Sequence, residues 1–525
     1  MHIPREGLFN RFFSRTTRRP SHPAPALTAQ ALPPTRKDVT RKQGQTASAK
    51  HQVIEEAAEP ADGEAPVLTA TLQHKFVTRI HGKYYNLEGF KHPGGPVALS
   101  LIGGRDGTPL FESHHPFTSQ DKLQAILGKY LIPDQEAEPQ ATALAAMIDE
   151  HEDGGHYEWA DGDAFESELK HKVKDYFRKE ADRRGVSLLE ATKATPQRWM
   201  EIAFMWIMFA CTVPSLVSGE WWALVVTPVL SWIWMVNFWH DACHFALSSR
   251  WWINASVPYL GPWFSSPTTW YHQHVIGHHS YPNVGHKDPD LAHAPSYLRE
   301  HASVRWRAIH GVQHRWWRVG FVWSIGVGIG LHIAADAKLL LTHSYNRVVP
   351  AMPTMRTAPT IAAHVMGRAV YVATTFLWPW LVFDSQVKAL IFATVPIGIF
   401  SVLFMVNSQI NHLTPDTAHA SSSNFWRHQV VTAQDFGTDG SSLHRLFCFF
   451  MSGGLNYQVE HHLFPTVCHC HHAALHPIVV EVCEKYKVPF YRREGYIHAM
   501  RLHFAHVHDM SSPPGVEMSS PVATD

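Results

Sequence analysis

The chain has 525 residues, more than one soluble core accommodates. Lys plus Arg equals Asp plus Glu at 45 each, so no overall field selects nucleic acid as a partner. Charged residues make up 17%, below the roughly 25% of soluble domains. With 19 Trp, the balance suits membrane spans with interfacial aromatic belts. Six scattered cysteines, two of them in or beside apolar segments, give no disulfide framework and suit a reducing environment.

Residues 1–68 are rich in Pro, Ala, Ser, Thr, Arg and Lys, lack hydrophobic periodicity, and read as a disordered extension. Arg5, Arg11, Arg15, Arg18 and Arg19 stand against one acid, Glu6. That bias fits an organelle transit peptide and equally a basic tail at lipid headgroups.

A small module is expected over 69–135. Residues 76–80 and 83–85 flank the turn His81-Gly82 and predict two short strands. His92-Pro93-Gly94-Gly95 follows, and 23 residues after His92 comes His115, preceded by His114. The module resembles cytochrome b5. The resemblance implies haem b held between His92 and His115, with His114 the neighbouring alternative. Two neutral imidazoles saturate a haem iron and suit it to electron transfer.

An acidic linker covers 136–165, extended by its charge and long enough to let the module swing. A charged amphipathic helix over 164–184 then leads to the membrane. Four apolar segments, 202–217, 221–239, 366–383 and 387–406, are expected to span a bilayer as two hairpins. Their turns carry no basic residue, whereas 170–198 and 299–318 are rich in Arg and Lys. The positive-inside rule puts that second side in the cytosol. A fifth apolar stretch, 319–341, is expected to lie in the interface. A full crossing there would part the histidine clusters before it from the one after it.

Those clusters are His240-Asp241-Ala242-Cys243-His244, His274-Val275-Ile276-Gly277-His278-His279 and Gln458-Val459-Glu460-His461-His462. His240 and His244 are four apart and leave one helix face. His274 and His278 repeat that spacing, with His279 about 100° further round. His461 and His462 are adjacent, and Gln458 lies one turn earlier. One such pair among 39 histidines is weak, whereas three clusters at membrane edges are a strong signal. Imidazole-rich ligation suits Fe, Zn, Cu or Ni. Eight side chains exceed one tetrahedral zinc site and suit two metals.

With Gly453 to Pro465 around the third cluster, these motifs resemble the membrane fatty-acyl desaturases. Gln458 points to the front-end branch with a fused cytochrome b5, and the resemblance covers about residues 70–505. It implies a small α+β haem domain followed by an all-α integral membrane domain over 166–510. That domain would hold four transmembrane helices in two hairpins and a cytosolic helical cap, at the endoplasmic reticulum. It implies two non-haem irons, O2 as co-substrate, and NADH-derived electrons through cytochrome b5 reductase. The substrate implied is a polyunsaturated acyl chain, as acyl-CoA or bound in phospholipid, which gains a cis double bond. Δ5-type enzymes are the most similar, with Δ6, Δ8 and Δ4 open.

Members of that family place one more ligand after the fourth span, which makes His412 the ninth. Asp241 is expected to hold a ligating imidazole, and Lys287-Asp288-Pro289-Asp290 to cap a helix or support ligands. Cys468-His469-Cys470-His471-His472 lacks zinc-finger spacing and is expected to pack within the cap, and 511–525 to form a flexible tail. The rival readings are a sphingoid long-chain-base desaturase, a fatty-acyl hydroxylase and a non-catalytic haem electron carrier. A metal transporter is disfavoured, because the histidines lie outside the spans.

Overall fold

In a computed structural model the chain is described over residues 76–133, 156–159, 162–261, 266–338 and 358–514. The N-terminal extension, linker residues 136–155 and tail residues 515–525 lie outside the described residues.

The first module pairs β1 (Val77–Ile80) with β2 (Lys83–Asn86) as an antiparallel hairpin, Ile80 opposite Lys83. His81 and Gly82 both take positive φ, 48° and 75°, the backbone that a two-residue turn between twisted strands requires. Three helices follow: α1 (Gly95–Ile102), α2 (Thr108–His114) and α3 (Gln120–Leu127). Ile80, Tyr85, Leu87, Phe111 and Leu123 form the module's own core.

Helix α4 (Ala164–Arg184) starts where Asp163 accepts a hydrogen bond from Glu166 N and stops at left-handed Gly185. Phe165, Leu169, Val173, Phe177 and Ala181 are buried along one face, the four-residue spacing of an amphipathic helix. Part of the expected linker is packed too. Tyr157 is buried, donates to Ser280 O at 2.9 Å and stacks on Tyr281.

Five helices among the described residues are long and apolar enough to cross a membrane. Four form two hairpins: α5 (Pro196–Ser218) with α6 (Ala223–Cys243), and a helix over Ala358–Val382, whose first part is α8 (Ala358–Val372), with α9 (Gln386–Gln409). They outrun the expected segments because polar caps, Thr195 for α5 and Ser385 for α9, extend each helix past its apolar run. The two turns meet. A Cβ on Gly219 would stand 2.6 Å from both Phe383 and Lys388, and Leu224, Phe383, Ala389 and Phe392 cluster there. Helix α6 is the buried member, while α5 and α8 turn most of their apolar residues outward. The opposite ends of α6 and α9 lead straight to His244 and His412.

The fifth helix, Trp316–Lys338, starts as α7 (Trp316–Ile325) and becomes π-helical over Gly326–Ala335. Trp323 packs on His503 and Phe504. Gly328 N donates to Ser401 Oγ at 3.0 Å, Tyr371 donates to Gly328 O at 2.7 Å, and Asp336 accepts the Thr269 hydroxyl. The contact to Ser401 meets α9 past its middle, toward the His412 end.

The cap holds α10 (Ser442–Ser452), α11 (Gln458–Leu463), α12 (His472–Lys485) and α13 (Tyr496–Asp509). It is not wholly helical, as the all-α expectation had it. Short strands β3 (Gln434–Phe436) and β4 (Tyr491–Arg493) pair in parallel, because both run extended beside the third histidine cluster, where Phe436 N donates to Asn456 O. The packed chain also runs past residue 510. Ser511 and Ser512 are buried, and Trp306 Nε1 donates to Ser511 O.

Candidate metal centre

The three histidine clusters and His412 converge at the shared end of α6 and α9. Every one of these nine side chains is buried. His240, His244, His274 and His461 bring one nitrogen each within 4.8 Å of one another, and His278, His412 and His462 do the same. His279 stands between the groups, its ring 4.4 Å from His244, 4.6 Å from His461 and 4.4 Å from His462. The Gln458 amide lies 2.9 Å from His412 Nε2 and belongs to the second group.

His274 and His278 stay side by side as expected, their rings stacked at 5.4 Å and 17°, and with Asp290 they form a further group whose ligand atoms lie within 4.8 Å of one another. Tyr271–His278 is a π-helical turn in which His279 N bonds His274 O at 2.9 Å. Bonding five residues back draws His279 in beside His274, while His278 stays stacked on His274 and also reaches His412 and His462.

The arrangement fits cations. The Nε2 atoms of His240 and His274 are 2.9 Å apart, those of His274 and His279 3.1 Å, and those of His279 and His461 3.1 Å. A neutral imidazole carries a single N–H, so a row of such contacts leaves lone pairs facing each other unless a cation lies among them. Among the described residues His244 has no hydrogen-bond partner on either nitrogen, and His462 has none on Nε2. Burial, reinforced by neighbouring imidazoles, pushes His244, His274, His279, His461 and His462 well below the usual imidazole range. Burial likewise takes His412 down to about 3. Neutral imidazole is the ligating form.

Hydrogen bonds at the far nitrogens orient the second group. His412 Nδ1 donates to Thr432 O at 2.9 Å, His462 Nδ1 to Gln429 Oε1 at 2.9 Å and His278 Nδ1 to Asp288 at 3.0 Å. Burial lowers the pKa of His278, but Asp288 and Asp290 outweigh it and lift it to about 9. Asp288 also accepts from Asn283 N and Asp290 N, so it caps and supports together. Asp241 does not hold a ligating imidazole as expected. It accepts from Cys468 and from His469 N, with His469 Nε2 3.3 Å away, because the loop after α11 folds back across the end of α6.

That loop is what the sequence reading undervalued. The His469 ring lies 5.1 Å from His240 and 5.0 Å from His461, walling the first group. Its signal was the histidine run itself, set aside for lacking zinc-finger spacing. Gln429 and Asn411, which donates to Gln458 Oε1 at 3.0 Å, come from segments with no motif.

In the first module the His92 and His115 rings lie 5.8 Å apart and near-perpendicular. His115 Nδ1 donates to Phe111 O at 2.8 Å, leaving Nε2 for another partner. A Cβ on Gly94 would stand 2.9 Å from His92 Nδ1, so glycine lets the backbone pass the ring. Burial, aided by His115, takes His92 down to about 4. The His114 ring points away, toward Phe245 at 6.2 Å.

The model of a family described as fatty acid desaturase matches residues 219–494. The chain is 27% identical over 464 residues to acyl-lipid (8-3)-desaturase B of Dictyostelium discoideum, covering 83% of this chain and 91% of that protein. It is 27% identical over 462 residues to Delta(5) fatty acid desaturase A of the same organism, covering 83% and 90%. With the sn-1 linoleoyl-lipid 6-desaturase of Arthrospira platensis it shares 27% over 363 residues, 64% of this chain and 93% of that protein. No solved structure matches the chain.

Proposed function

Since the chain belongs to the fatty acid desaturase family, we propose that this oxidoreductase is a front-end acyl-lipid desaturase. It places a cis double bond in a polyunsaturated chain on the carboxyl side of an existing one, at Δ5. The observation that carries the reading is the sorting of the histidines into two groups bridged by His279. His240, His244, His274 and His461 would hold one non-haem iron, and His278, His412 and His462 the other, with Gln458 beside His412. When bound, the irons supply the O2-dependent oxidising power that unactivated methylenes demand.

The chain's own groups do the rest. Asp288, Gln429 and the Thr432 carbonyl hold the far-side protons, so the inward nitrogens stay free to ligate. Trp270 packs on His240 and His274, with Trp239 and Phe404 against it, and the three offer an apolar wall against water and for a hydrocarbon chain. Relatives named as acyl-lipid and Delta(5) enzymes support a lipid-bound substrate and the Δ5 position. The relative named as a 6-desaturase keeps Δ6 as the alternative.

His92 and His115 would hold haem b, fed with NADH-derived electrons by cytochrome b5 reductase. The 5.8 Å approach of these rings supports His115 over His114. Four helices would cross the bilayer, with the cap and haem module on the cytosolic face of the endoplasmic reticulum. The fifth would enter and leave on the cap side, as the meeting of Gly328 with Ser401 in the His412 half of α9 supports.

The test is the fatty-acid profile, by gas chromatography with mass spectrometry, of yeast expressing the chain and fed polyunsaturated acids. A new carboxyl-side double bond is expected, lost in His461→Ala and in His92→Ala. No product from any acid, with the protein present in membranes, would sink the reading in favour of sphingoid bases.

A further inference from the structure

The segment His114 to Phe117 lies between the haem module and both histidine groups. While His115 lies beside His92, the His114 ring turns the other way, 6.2 Å from Phe245 and near-perpendicular to it. Phe245 follows His244 of the first group directly. It is held at a left-handed φ of 57°, and its carbonyl accepts from Lys193 Nζ at 2.9 Å, which also donates to Thr466 O at 2.8 Å. Two residues beyond His115, Phe117 stacks on Phe464 at 5.7 Å and 19°. Phe464 lies two residues after His462 of the second group. One short segment beside a haem-side histidine therefore makes one aromatic contact toward each group.

The module is packed in place around these contacts. Leu101 and Leu110 belong to the same core as Cys243 and Phe245. A Cβ on Gly95 would stand 2.5 Å from Trp251, and Lys170 Nζ donates to buried Glu112 at 3.0 Å.

We propose that His114–Phe245 and Phe117–Phe464 are the two electron-entry contacts of this protein, one for each metal, with the haem module docked as donor and not swinging on its linker. The inference rests on the haem and di-iron reading above. In each transfer a ferrous haem gives up one electron and becomes ferric, and one ferric non-haem iron becomes ferrous. A flavin-dependent NADH reductase returns the haem to the ferrous state before the second transfer. The four aromatic residues would be positioning residues, since the chemistry occurs at the metals.

The experiment follows haem reoxidation by stopped-flow absorbance in the purified full chain. The haem is reduced with NADH and reductase, then mixed with O2 and acyl lipid. Phe245→Leu and Phe117→Leu are each expected to keep the haem spectrum and midpoint potential and to slow reoxidation. The double variant is expected to lose the fast phase, and Phe245→Tyr, which restores a ring, to regain it. In parallel, carbodiimide should join Glu112 to Lys170 in the intact protein, read by peptide mass spectrometry. Wild-type reoxidation in the double variant would overturn the route, and absence of the Glu112–Lys170 cross-link would overturn the docked module. A wild-type protein that binds no haem would instead overturn the haem reading beneath both.

Discussion

His274 and His279 meet although five residues separate them, their Nε2 atoms 3.1 Å apart and their rings near-perpendicular. An α-helix would set them about 140° apart; the π-helical turn draws them together, while His278 stays stacked on His274 and also reaches His412.

Gly277 sits within that turn, and a Cβ there would stand 2.5 Å from Pro289. Gly277→Ala must displace the segment that carries Asp288, at an overpacking cost of about 1–3 kcal/mol. The expected outcome is loss of iron together with loss of desaturation, checked by metal analysis of the purified variant beside product yield. Full iron content would contradict it.

Asp288 fixes His278 through a 3.0 Å hydrogen bond. Asp288→Asn is expected to weaken iron binding about 10–100-fold while the fold persists. Competition with a graded series of chelators measures this, and unchanged retention would remove Asp288 from its orienting role.

Behind α11, His476 Nδ1 lies 3.0 Å from Asp435 and 2.9 Å from Glu460. Burial alone would lower its pKa, but the two carboxylates outweigh it and lift it from 6.5 to about 10. The stability this supplies is fully present below pH 6.5 and is lost as pH rises through about 10. The melting temperature in detergent should therefore fall from pH 6.5 to 10, and His476→Gln should make that fall shallower. His476→Ala, which leaves two buried carboxylates without their cation, should cost about 3–5 kcal/mol.

Glycosylation acceptor sites test the crossings. Sites inserted at Ser218–Glu220 and at 383–385 should be modified in microsomes. Sites near Gly311 and between 339 and 357 should stay unmodified. Modification at only one of the latter two would mean that the fifth helix crosses.

Much of this arrangement was legible in the sequence. Cap residues and apolar runs marked α4 and the hairpins, and the spacing of His240, His244, His461 and His462 marked the centre. The approach of His279 to His274 was not legible, because a π-helical turn changes periodicity without changing composition. Asp241 was misassigned for a different reason. Its partners, Cys468 and His469, lie over two hundred residues away, and only folding brings a loop that far back onto α6. The packing of Tyr157 against Tyr281 was equally hidden, since an acidic neighbourhood disguised one buried aromatic residue.

The two histidine groups draw their members from the end of α6, the π-helical turn, the exit of α9 and α11, segments up to about 220 residues apart in the chain. Metals bound there act as cross-links as well as reagents. A chain made in an iron-starved cell keeps its buried imidazoles lone pair to lone pair at the point where those segments meet, and binding energy that folding would have gained is missing. The cap is then the first region to open to proteases. With iron held there, its supply would govern how many molecules persist, beyond how many of them turn over.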